Sequence, residues 1–453
     1  MKRSLWLRRM AAVTALALAT AACGGDGDTT GDEPEPTDTT EETTDEPADE
    51  ETEPTDEPEG EEPADEEQAV EGDGTLNLGY ILPESGPLAF LGPPQIQAVQ
   101  MAVDEINAAG GVLGNDVTLE SGDEAGDTTI ASESAQRLIG AGVNAVVGAA
   151  ASGMSLSFVD ALTGAGVVQC SASNTSPTFT GGDYGGLYFR TAPTDALQGP
   201  VLAETIVADG NTNPAILARA DDYGQGLLDA TVEELEAQGA TVAASITYDP
   251  EAANFEAEVN QVAQSGADSV ALIAFDEGAQ ILASMIEAGL GPQNIMVYGA
   301  DGVASDTLWE DVDPNDPSVL DGMKGTRPAA DADEGFIQRF TDETGLSDTT
   351  YAAQAFDCAM IIALAAEAAG SDEGSAIAAE MVGVTTGDTA CTSFEECRDA
   401  LEAGDTIAYD TASGVVLTET ETGNGEPESG MYDVWELDGE GALSVIDTVE
   451  SNF

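Results

Sequence analysis

The sequence predicts an α/β protein whose parallel sheets carry helices on both faces. Two observations lead there. Short β-branched or apolar runs alternate with helix-length amphipathic segments through residues 75–453, and the 453-residue length leaves two lobes of ordinary domain size once the N-terminal segments are set aside. The strand runs, in order, are 76–82, 145–147, 167–170, 215–217, 242–248, 269–275 and 295–298. The first helix is marked by Ile96, Val99, Val103 and Ile106, which fall three and four apart as one buried stripe, and Gly110-Gly111 closes it as a C-cap. Further helices are expected over 129–141, 155–164, 223–238, 255–264, 278–288 and 351–369.

Ahead of these elements stand two segments of different character. Lys2, Arg3, Arg8 and Arg9, an apolar run over 10–22 and then Cys23 form the pattern of a secretory signal peptide whose cysteine becomes a lipid anchor. The run is shorter than the about 20 apolar residues that a spanning helix needs. Ala19-Thr20-Ala21-Ala22-Cys23 is similar to a bacterial lipobox, with Thr20 where Leu is usual. Cleavage after Ala19-Thr20-Ala21 and plain secretion is the alternative, and Arg8-Arg9 is a poor twin-arginine match. Residues 24–74 are almost all Asp, Glu, Thr, Pro and Gly, with no Lys or Arg and almost nothing apolar, so they are expected to be a disordered tether extended by its own charge. A docking site for a basic partner is the other use of such a run. The expected location is extracytoplasmic, with the chain lipid-anchored to the outer face of the cytoplasmic membrane.

The folded part is itself acidic. Of 87 acidic and 11 basic residues, 4 basic ones lie in residues 1–23 and 24 acidic ones in residues 24–74, which leaves 63 acidic against 7 basic, net −56, for residues 75–453. Nucleic acid is excluded as a partner, because phosphate binding needs clustered Lys and Arg. Self-repulsion of this size is tolerable when screened, and about 1 M salt shortens the Debye length to about 3 Å. A halophilic source with a solvated acidic surface is the expectation.

Catalytic chemistry finds little support. The chain has no histidine, which removes Ser-His and Cys-His pairs and histidine metal sites. It has no Walker A loop, and Gly224-Gln225-Gly226 lacks the third glycine of a dinucleotide fingerprint. No catalytic residue, metal or cofactor is expected, so a binding protein is favoured over an enzyme. Cys391 and Cys397, six apart in a polar segment, are close enough for a disulfide, which fits an oxidising compartment. Cys170 and Cys358 lie in apolar surroundings and read as buried and inert, with their pairing left open.

In open parallel sheets ligands bind beyond the carboxyl ends of the strands. Residues 149–153 and 171–177 both combine small side chains, hydroxyls and backbone N–H groups ahead of a helix, a setting suited to a carboxylate, with an ordinary N-cap as the bland alternative. Val297-Tyr298-Gly299-Ala300 runs into Asp301-Gly302 and sets an acid at a strand end, where burial would demand a cation or several donors.

The order of these features resembles the branched-chain amino-acid-binding proteins of ABC importers, with the type I periplasmic binding protein fold. The matching text is Gly79-Tyr80-Ile81-Leu82, Ser85-Gly86-Pro87, residues 101–114, Ser173-Asn174-Thr175-Ser176-Pro177, Phe189-Arg190-Thr191 ahead of Gln198-Gly199, Asp222-Tyr223-Gly224, residues 299–302 and Tyr351-Ala352-Ala353. The resemblance implies two doubly wound lobes joined by three crossing strands near Thr191, near 325–327 and near 409–414. The first lobe would be 75–191 plus 327–409, the second 192–326 plus 410–453. It also implies roles: Ser152 and Thr175 hold a ligand carboxylate, the Ser173 carbonyl accepts from the ammonium, and Asp301 pairs with that ammonium. Tyr223 closes from the second lobe, while Leu91 and Phe275 stand at or beside aromatic positions that shape the side-chain pocket. The implied partners are a small amino acid and a membrane permease, with the protein a monomer. Short amides, urea or aromatic acids are runner-up ligands, and a sensing receptor is the alternative to transport.

Overall fold

The computed structural model describes residues 72–329 and 334–453. The expectations that rest on residues 1–71, including the signal and Cys23, lie outside the described residues. The end of the acidic stretch differs from the expected tether boundary. The N–H groups of Asp73 and Gly74 donate to the buried Asp372 carboxylate at 2.9 and 3.0 Å, and Asn115 Nδ2 donates to the Gly74 carbonyl at 2.8 Å. A carboxylate that leaves water needs donors, and this otherwise featureless segment supplies them with its backbone.

The described residues hold sixteen strands, which alternate with helices until β12, after which the last four strands follow one another: β1 Asn77–Ile81, β2 Thr118–Glu120, β3 Ala145–Gly148, β4 Val168–Ser171, β5 Tyr188–Arg190, β6 Pro214–Arg219, β7 Ala244–Tyr248, β8 Ser269–Ile273, β9 Met296–Gly299, β10 Lys324–Pro328, β11 Thr389–Cys391, β12 Ile407–Tyr409, β13 Leu417–Glu419, β14 Gly425–Pro427, β15 Ser429–Leu437 and β16 Leu443–Asn452. They form two seven-stranded sheets, ordered β13-β14-β5-β4-β3-β1-β2 and β16-β15-β10-β9-β8-β6-β7, plus the pair β11-β12. β1–β5 and β6–β10 pair in parallel within their sheets, while β13 on β14 and β15 on both β10 and β16 are antiparallel. This is an α/β protein of two doubly wound lobes.

The chain passes between the sheets after β5, after β10 and between β14 and β15. The third passage therefore lies at residue 428 and not near 409–414, so residues 410–427 go with the first lobe. Two contacts hold them there: β14 pairs with β5, and the buried Asp357 carboxylate accepts the N–H groups of Ala412 and Ser413 at 2.9 and 2.7 Å. The hairpin is short and polar, so its strands lack the apolar runs that mark the others.

The helix Ala352–Ala369, buried along most of its length, packs with Gly92–Ala108 on one face of the first sheet. Cys170 of β4 and Cys358 of that helix are joined by a disulfide, so they are not inert thiols; the helix lies across β4 and brings the sulfurs together. Cys391 and Cys397 form a second disulfide. The helix expected over 155–164 is instead two, Ser152–Leu156 and Val159–Gly164, broken where Phe158 turns into the core. A helix absent from the pattern reading, Asp195–Ala208, opens the second lobe behind Thr194, whose hydroxyl accepts the Ala196 N–H at 3.3 Å.

Candidate functional site

The first-lobe wall is built from the loops that follow β3 and β4. Gly148 ends β3 at φ +118°, and a Cβ there would stand 2.0 Å from the Ile81 carbonyl, so only glycine lets β3 lie this close to β1. The backbone donors that follow are engaged. Ala149 N–H donates to Ser155 Oγ at 2.9 Å, and those of Ala150 and Ala151 donate to the buried Glu124 carboxylate at 2.6 and 3.3 Å. In the second loop the N–H groups of Ser173 and Asn174 donate to Ser171 Oγ, and that of Ser176 to Ser152 Oγ at 3.3 Å. Most of the N–H groups that sequence reasoning offered to a ligand thus stiffen the loops. Ser173 Oγ donates to Gln95 Oε1 and the Ala150 carbonyl, and Thr175 Oγ1 is buried without a hydrogen-bond partner among the described residues.

The opposite wall centres on Asp301, which follows β9 at the start of a short 3-10 turn. Its Oδ1 accepts from Tyr223 Oη at 2.7 Å and Gln198 Nε2 at 3.2 Å, and its Oδ2 accepts from Tyr351 Oη at 3.0 Å. Burial raises its pKa, and these three donors restrain the rise. Gly302 beside it is required by packing and not by flexibility, since a Cβ there would lie 2.4 Å from the Ala274 carbonyl. Tyr223 sits in the first turn of Asp222–Ala237, a helix capped by Asp221, which accepts the Gly224 N–H at 2.8 Å. Tyr351 precedes the first-lobe helix Ala352–Ala369, so its hydrogen bond crosses from one lobe to the other.

Apolar side chains close the space between the walls. Leu88, Leu91 and Ala151 of the first lobe share one buried cluster with Tyr223, Phe275, Ala300 and Tyr351. Phe275 stacks on Tyr223 with ring centroids 5.2 Å apart and lies 3.5 Å beneath the Arg219 guanidinium. Arg219 is held by Asp221 and Glu277, so its charge is matched within the second lobe. Leu91, Tyr223 and Phe275 therefore share one cluster, which Asp301 joins through the Tyr223 hydroxyl, while Ser152, Ser173 and Thr175 are buried in the two first-lobe loops. A surface hollow lined by Thr191, Pro193, Gln354, Ser413 and Met431 lies at the crossing segments and touches none of these seven.

Three residues with evident roles here were not assigned from sequence. Gln198 and Tyr351 stood inside quoted motifs without a role. Glu124 was hidden among 87 acidic residues, where a single carboxylate carries no signal. Glu124 titrates at about 8 because burial outweighs its two backbone donors. The folded protein thus binds a proton on Glu124 that the unfolded chain has lost between about pH 4.5 and 8, so stability falls as pH rises through that window. Glu124→Gln is expected to flatten this fall, read as a smaller drop in unfolding midpoint between pH 5 and pH 8.5 than in the unaltered protein.

Residues 75–401 match the periplasmic binding protein family. The Leu/Ile/Val-binding protein BraC3 of Rhizobium johnstonii is 29% identical over 235 residues, 52% of this chain and 63% of that relative, so the match spans less than two thirds of the relative's length. Leu/Ile/Val-binding protein homolog 2 of Brucella abortus is 29% identical over 308 residues, 67% of this chain and 81% of its own. The crystal structure of the leucine-binding protein LivK from Thermotoga maritima has a TM-score of 0.69 at 20% identity, covering 83% of this chain and 98% of that one. A solute-binding protein from R. palustris in complex with 4-hydroxybenzoate has a TM-score of 0.66 at 18% identity, covering 84% and 98%. At these identities the solved structures speak for the fold alone.

Proposed function

The chain belongs to the periplasmic binding protein family, and from that premise we propose that it is the extracytoplasmic substrate-binding component of an ABC importer. It captures a small amino acid with a branched or other apolar side chain between its lobes and delivers it to a membrane permease. The family and the relatives above are binding proteins and not enzymes. The observation that supports the reading is that the second lobe buries an acid, Asp301, and the first-lobe loops bury the hydroxyls of Ser152 and Thr175, with Leu91 and Tyr223 in the cluster where the lobes meet. A zwitterion spans such a gap, its ammonium at Asp301 and the Ser173 carbonyl, its carboxylate at Ser152 and Thr175. Closure removes water and strengthens each charge-assisted contact. The Leu/Ile/Val-binding names of the relatives support this choice of ligand. A lipid on Cys23, the acidic segment as a spacer, a monomeric state and a surface suited to high salt complete the reading.

A second reading, capture of an aromatic acid, is favoured by one feature: Asp301 already receives three protein donors and does not require an ammonium. The test is a thermal-shift screen of the purified protein in high salt. Leucine, isoleucine or valine at about 100 times its Kd should raise the midpoint by a few degrees, since such binding adds about 2.7 kcal/mol. A shift with 4-hydroxybenzoate, acetamide or urea and none with the amino acids overturns the proposal. Recovery of a sensor kinase in place of a permease on co-purification would reassign the protein to signalling.

A further inference from the structure

We propose that Asp195 is a ligand-binding residue of the crevice, taking a second N–H from the ammonium that Asp301 holds, so that the site selects primary amines. This rests on the amino-acid reading above and narrows it.

Asp195 is fully buried at the start of the helix Asp195–Ala208, and its backbone N–H donates to the Thr175 carbonyl at 2.7 Å, which pins it against the first-lobe wall. Among the described residues neither of its carboxyl oxygens has a hydrogen-bond partner, in contrast to Asp301 with three. Burial and the neighbouring Asp301 push its pKa well up, and the nearby Thr175 hydroxyl offsets this only in part, so a cation arriving beside it would favour its ionised form. Asp195 lies three residues before Gln198 on the same helix face, and Gln198 Nε2 donates to Asp301 Oδ1 at 3.2 Å, which sets Asp195 beside the crevice acid.

Two ordinary uses of a buried carboxylate fail here. It is not the helix cap, because Thr194 is. It is not half of an ion pair, because Arg190 donates to the Asn174 and Ser176 carbonyls, Thr180 and Glu426. Gln198 Oε1, on the side chain whose amide serves Asp301, is likewise buried without a donor among the described residues. The crevice thus holds unpartnered acceptors in excess, and burial without donors is costly. A ligand ammonium supplies several N–H groups at one point, whereas an aromatic acid would bring a further anion.

Calorimetric binding of leucine, N,N-dimethylleucine and isobutylamine to the unaltered protein, Asp195→Asn and Asp301→Asn provides the test. The unaltered protein should prefer leucine to its dimethyl derivative by tenfold or more. Asp195→Asn should weaken leucine at least tenfold, close most of that gap, and leave the unliganded unfolding midpoint unchanged or higher, because a carboxylate serving the fold would lower it on removal. Leucine affinity within twofold of the unaltered protein in Asp195→Asn, with the preference intact, overturns the role of Asp195 and leaves the amino-acid reading standing. Binding of isobutylamine but not leucine, lost in Asp195→Asn, overturns the amino-acid reading and keeps the role. No response to any of the three overturns both.

Discussion

Asp301→Ala is expected to weaken amino-acid binding by more than tenfold, measured by calorimetry at fixed salt. Removing one partner of a buried charge pair typically costs about 3–5 kcal/mol, because the remaining charge stays buried without its counterpart. Here the loss has a second component. Tyr223, Tyr351 and Gln198 all donate to this carboxylate; Gln198 keeps its bond to the Thr326 carbonyl, but alanine would strand the two buried tyrosine hydroxyls at roughly 1–3 kcal/mol for each left unmatched. The Tyr351 bond also joins the lobes, so the variant should populate the closed form less even without ligand. Asp301→Asn keeps the shape and one acceptor and should fall between the two. Unchanged affinity in the alanine variant would remove Asp301 from the site.

The fold was largely legible in the sequence, and the reasons are local. Parallel strands buried on both faces must be continuously apolar, so 145–147, 215–217 and 269–275 announce themselves, as does the helix stripe through Ile96, Val99, Val103 and Ile106. The third crossing was illegible because β13 and β14 are short, polar and at a sheet edge, with only Leu417 as an apolar mark in β13. The site divides in the same way. Asp301 is visible because a strand run leads straight into it. Glu124 is invisible because it comes from a different loop and meets Ala150 and Ala151 only through tertiary packing. Sequence reasoning counted those N–H groups as free, since it cannot know which distant acceptor reaches them.

Arg190→Met is expected to destabilise the protein by about 3–5 kcal/mol, read as a lower midpoint in chemical denaturation. Arg190 ends β5 with its side chain fully buried, and the guanidinium serves two ends at once. Nε donates to Glu426 of β14 at 2.9 Å, and Nη1 donates to the carbonyls of Asn174 and Ser176 at 3.2 and 2.8 Å. Methionine fills much of the volume but leaves Glu426 as a buried anion without its cation, and takes one donor each from the Asn174 and Ser176 carbonyls, the latter keeping only the Phe179 N–H at 3.4 Å. Adding Glu426→Gln should recover part of the loss, because the isolated charge is then gone. High salt should recover little, since a pair this deeply buried is weakly screened. The same guanidinium fixes the loop that carries Thr175, so the single variant should bind ligand less tightly even where it is fully folded. A single variant as stable as the unaltered protein would mean that β14 and the loop after β4 are held by their backbone contacts alone.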